Sequence, residues 1–107
     1  RKAQGVWSVR AGGAVLGESR NALELIEEDL PPVIYFPRED IAMAFLDRTE
    51  HSSHCPWKGD ASYYSIVTKS QTLKDKVWSY EDPIEAVARI KDHLAFYTGD
   101  GIAVEGI

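Results

Sequence analysis

Between His51 and Ser65 the chain reads HSSHCPWKGDASYYS, so that two histidines, the only cysteine, a tryptophan, a lysine and two tyrosines fall within fifteen residues. Three chemistries can be built from such a cluster. His51, His54 and Cys55 offer the nitrogen and sulfur donors that zinc takes. A closed site wants four ligands in paired spacing, however, and the fourth has to come from His93, Asp47 or Glu50 with no spacing to choose among them. No metal and no cofactor are therefore expected. Cys55 precedes Pro56, which favours extended backbone, and Lys58 or His54 beside it would favour the thiolate. No third group is spaced to orient a base, and a free cysteine more commonly packs as a small hydrophobe. Binding needs the fewest assumptions. Trp57, Tyr63 or Tyr64, Trp78 and Tyr80 can wall an apolar pocket, while Lys58 and Arg38 offer charge-assisted hydrogen bonds to a carboxylate or phosphate.

The expected ligand-binding set is therefore Arg38, Cys55, Trp57, Lys58, Tyr63, Trp78 and Tyr80 around one pocket at the His54–Gly59 loop, with Cys55 packed beneath the loop. The ligand would be small and anionic or aromatic. An enzyme using Cys55 or Lys58, transferase-like, is the first alternative, and a protein-interaction module presenting exposed aromatics is the second. Catalytic residues stay unassigned. The sequence has no G-x-x-x-x-G-K-[ST] loop, no G-x-G-x-x-G, no H-E-x-x-H and no G-x-S-x-G elbow, which removes support from the standard nucleotide-hydrolase, dinucleotide, metalloprotease and esterase mechanisms.

Twelve Lys and Arg against seventeen Asp and Glu leave a formal charge of -5, which repels nucleic acid and anionic membrane surfaces at long range. Neither is expected as a partner. One cysteine cannot close an internal disulfide, and no apolar run approaches the roughly 18 residues that mark a membrane span. Cytoplasmic residence is the resulting expectation.

The elements that must position these residues are mostly strands. VWSVRAGGAVLGES reads as a hairpin turning at Gly12-Gly13. RNALELIEE (20–28) leans toward a strand, VIYF after Pro31-Pro32 is a short one, and IAMAFL (41–46) fits helix or strand. DRTEHSSH then reads as a polar surface loop. ASYYSIVT (61–68) should turn around SQTLKD and pair with KVWSYE (76–81), placing Val77 and Ser79 on one face and Trp78 and Tyr80 on the other. Asp82-Pro83-Ile84-Glu85 carries the signals of a helix start, and Val87, Ile90 and Leu94 supply a buried stripe. HLAFYTGDGIAVEGI reads as a closing hairpin around Gly99-Asp100-Gly101. The expected fold is a single domain over residues 1–107: mainly β, a small antiparallel sheet or barrel-like arrangement, with one α-helix near residues 83–93.

At CPWKGDASYYS, followed by VWSYEDP, the chain resembles a bacterial and fungal family known as domain of unknown function 427, which also carries a nucleotidyltransferase label. The resemblance runs from the hairpin at Trp7 through YFPREDI (35–41) to HLAFY. Its pattern matches at Cys55, Pro56, Trp57, Lys58, Gly59, Tyr63, Trp78, Tyr80 and Pro83, with an upstream Pro-Arg-x-Asp at Pro37, Arg38 and Asp40. It implies a compact β-rich domain. The transferase label implies carboxylates holding Mg²⁺ beside a phosphate cradle, and the sequence shows no such pair. Some members of that size and shape look similar to the β-tent architecture, whose better-known relatives bind zinc through paired cysteines. With one cysteine, this chain would replace that cross-link by a ligand or by packing.

Overall fold

A computed structural model describes residues 1–107. The chain forms nine strands in three antiparallel sheets and closes no barrel. β1 (Trp7–Ala11) and β2 (Ala14–Ser19) make the expected hairpin, in which Gly12 adopts the left-handed φ of +58° that its turn requires. β9 (Ile102–Gly106) pairs on the other side of β1. β3 (Leu23–Leu25) and β4 (Val33–Tyr35) form a two-stranded ladder. The third sheet has the order β5 (Leu46–Cys55), β6 (Gly59–Val67), β7 (Thr72–Tyr80) and β8 (Ala95–Phe96).

The sheets are tied by backbone bonds at their margins. Phe36 and Leu94 exchange both amide bonds at 2.8 Å, joining the end of β4 to the entry of β8, and the Ala42 amide donates to the Leu16 carbonyl at 2.8 Å. At the β2 end, the Ser19 hydroxyl donates to Asp40 at 2.7 Å and accepts from the Asn21 amide. Ser19 is buried, and Ser19→Ala removes both hydrogen bonds at once. We expect it to cost about 1 kcal/mol in urea unfolding, with an unchanged midpoint as the contrary result.

The period of two in β7 divides the interior. Val77 turns toward a main core with Val9, Leu16, Phe36, Ile66 and Leu94. On the opposite side Tyr80 joins Tyr35, Ala61, Tyr63, Ile90 and Ala95 in a second, tyrosine-rich cluster, with Trp78 packed against it.

Four local expectations are corrected. The turn between β6 and β7 does not span SQTLKD: the Thr68 amide donates to the Gln71 carbonyl at 2.9 Å and closes it, so residues 72–75 are already strand. Residues 47–54 are not a loop but most of β5, an edge strand with only β6 beside it. Polar on both faces, it carries no apolar alternation to read, and a register shift between Arg48 and Ser52 further blurs it. The α-helix near 83–93 is a 3₁₀ segment, Glu85–Ile90, interrupted at Val87 (φ -124°, ψ 29°). The Ile84 amide donates to the Lys58 carbonyl at 2.9 Å, so the stretch meant to cap and start the helix is held extended against the β5–β6 turn. Finally, the last segment is not one hairpin. β8 joins β7 while β9 joins β1, leaving residues 97–101 as a crossover with a single bridge, Gly99 to Ile102. No helix is long and apolar enough to cross a membrane.

Candidate functional site

Alternation along β6 and β7 decides which expected site residues meet. Ala61 lies opposite Tyr80 and Tyr63 opposite Trp78, so Tyr63, Trp78 and Tyr80 share one face. Tyr35 of β4 covers them, its hydroxyl accepting from the Trp78 indole N–H at 3.3 Å and its ring meeting that of Trp78 edge-on. Cys55 packs against the same cluster as a partly buried hydrophobe. Lys58, in the turn between β5 and β6, is nearly enclosed: its ammonium reaches the Glu27 carboxylate at 2.8 Å and the Cys55 sulfur at 3.5 Å.

Burial alone would pull the Lys58 ammonium down, but the Glu27 hydrogen bond and the nearby thiol and phenol outweigh it, and the net displacement is upward. Burial pushes the Tyr80 phenol up to about 12, with Tyr35 adding to the effect, and raises Tyr35 as well. A lysine acting as base or nucleophile must be neutral, so this environment works against that role for Lys58.

Arg38 belongs elsewhere. It bonds the Tyr64 hydroxyl at 3.1 Å and the Ser79 hydroxyl at 3.3 Å, both on the sheet face opposite Trp78 and Tyr80. Trp57 projects into solvent, 73% exposed. Five of the seven expected residues thus cluster, while Arg38 and Trp57 lie apart. The histidines also diverge: His54 pairs with Asp60 at 2.7 Å, whereas His51 packs on the Tyr63 ring. No three His, Cys, Asp or Glu side chains converge to hold a metal ion.

An open, largely apolar hollow lies beyond the other end of Trp78. Where the three sheets meet, a cleft of about 630 Å³ is lined by Trp7, Pro32, Val33, Trp78, Tyr97 and Val104, among others, with Trp78 and Tyr97 rings 4.6 Å apart. Its one charged lining residue, Glu24, is held by Arg1 at 3.1 Å. Trp78 alone of the expected set reaches it. Trp7 and Tyr97 carry no local signal for this cleft: both stand far from the cysteine loop in the chain, Tyr97 being brought to Trp78 by the pairing of β8 with β7 and Trp7 to the same hollow by the joining of the β1 sheet.

A family model for a domain of unknown function, DUF427, labelled NTP_transf_9, matches residues 1–106. The chain belongs to this family. A search of curated proteins finds no match. The DUF427 match takes in all nine strands, and with them both the tyrosine cluster and the cleft.

Proposed function

We propose that this DUF427 domain binds a small aromatic molecule in the cleft between its three sheets. The observation that carries the reading is the convergence of Trp7, from β1, and the adjoining rings of Trp78 and Tyr97, from the four-stranded sheet, on a volume within the range of small-molecule sites, roughly 300–1,000 Å³. Aromatic walls with few charges favour a flat, uncharged ring system. Lys58, expected to meet an anionic ligand, already spends its charge on Glu27. The same pairing makes an enzyme working through Lys58 the weaker reading. The free thiol of Cys55 supports cytoplasmic residence, and the charge of -5 supports action without nucleic acid or an anionic membrane.

A thermal-shift screen of uncharged aromatics, indole, naphthol and adenosine among them, tests the reading, because a ligand that binds only the folded form raises its melting temperature. We expect a concentration-dependent rise in the wild type that is lost in Tyr97→Ala. Tyr97 is 46% exposed, so that change spares the core. No rise with any ring system, or one equal in both proteins, contradicts the proposal.

A further inference from the structure

The face of the four-stranded sheet opposite Trp78 carries a second constellation that the cleft does not use. Arg38 and Arg48 both lie over the Tyr64 ring, with guanidinium carbons 5.6 and 5.9 Å from its centroid. Both reach the same carboxylate oxygen, Glu81 Oε2, at 3.6 and 2.8 Å, and the Tyr64 hydroxyl donates to it at 3.1 Å. Ser62 donates to the other oxygen at 3.1 Å. Two arginines therefore share one carboxylate, leaving a positive excess at this spot on a chain of net charge -5. The spot is open to solvent: the side chains of Arg38, Arg48 and Glu81 are 30%, 55% and 32% exposed. Arg48 bonds through its two Nη atoms only, which leaves its Nε–H edge unused. Glu81 lies in the bend just past β7, so its side chain can leave without breaking a ladder bond.

We propose that Arg38 and Arg48 form a binding site for a phosphate group, in which Glu81 occupies the anion seat until phosphate displaces it. Guanidinium forks flanked by hydroxyl donors match the several oxygens of a phosphate, and when Glu81 withdraws the two positive charges match its dianion. A flat carboxylate uses fewer of these donors, so phosphate binds in preference to acetate. The site is independent of the aromatic cleft.

Isothermal titration with inorganic phosphate, at ionic strength held constant with NaCl, tests this on wild type, Glu81→Gln and Arg48→Gln, with acetate and phenyl phosphate as parallel probes. We expect saturable phosphate binding in the wild type, at least about fivefold tighter in Glu81→Gln, where the competing charge is gone, and absent in Arg48→Gln. Phenyl phosphate binding more tightly than inorganic phosphate marks an ester as the natural form; the reverse marks the free ion; either supports the site. Equal binding of acetate and phosphate, phosphate binding that persists in Arg48→Gln, or Glu81→Gln binding no tighter than wild type overturns it. Should Glu81→Gln fail to fold, the Arg48 Nε–H resonance of the wild type decides: it must shift saturably with phosphate, and its indifference rejects the site.

Discussion

Trp78→Ala should lower the unfolding free energy by about 3 kcal/mol, the low end for removing a large aromatic because the side chain is only partly buried. The loss has two physical parts. One is the apolar area that Trp78 shares with Tyr35 and Tyr97; the other is the Tyr35 hydroxyl, which loses the indole N–H it accepts from in a buried setting. Trp78→Phe separates them, since it keeps a ring but not the donor, and should cost about 1–2 kcal/mol. Urea unfolding of the three proteins checks the order. Equal stability of wild type and Trp78→Ala would remove Trp78 from its place between the tyrosine cluster and the cleft.

The second large effect concerns acid. The Arg48 guanidinium, hydrogen-bonded to Glu81, holds that carboxyl down at about 2; partial burial opposes this, and Tyr64 and Ser62 assist it. A carboxyl depressed in the folded state contributes stability that is complete above its ordinary value near 4.5 and disappears as pH falls through about 2. The full shift would correspond to about 3 kcal/mol. With Glu81 about one-third exposed and Arg48 more than half, solvent screening reduces the expected contribution to about 1–2 kcal/mol. Glu81→Gln should therefore be less stable than wild type by that amount at pH 7, and the gap should close between pH 4.5 and 2. A gap that stays constant across this range contradicts the assignment.

How much of this was legible in the sequence follows from where side chains repeat with a period. The β6–β7 pair was readable because Tyr63, Trp78 and Tyr80 alternate with Tyr64, Val77 and Ser79, and both the hairpin at Gly12 and the family resemblance at Cys55 to Tyr80 hold. β5 was hidden because an edge strand exposed on both faces has no apolar pattern, and with it went Arg48, whose face could not be assigned. The helix signal at Asp82-Pro83 was genuine local chemistry overridden by a long-range bond, Ile84 to Lys58, that no local pattern encodes. Arg38 sits in Pro-Arg-x-Asp as the pattern has it, but the direction of its side chain depends on the sheet it meets, which placed it opposite Lys58. The cleft was the least visible feature, being assembled from Trp7, Val33, Trp78 and Tyr97, residues brought together only by the joining of three sheets.

The three tryptophans make the most direct test. Trp7 and Trp78 line the cleft, while Trp57 stands in solvent outside it. In protein labelled with ¹⁵N at the indoles, titration with the uncharged aromatic giving the largest thermal shift should move the Trp7 and Trp78 N–H resonances saturably and together, leaving that of Trp57 in place. Movement of Trp57 alone, or of none of the three, would contradict an aromatic-binding cleft between the sheets.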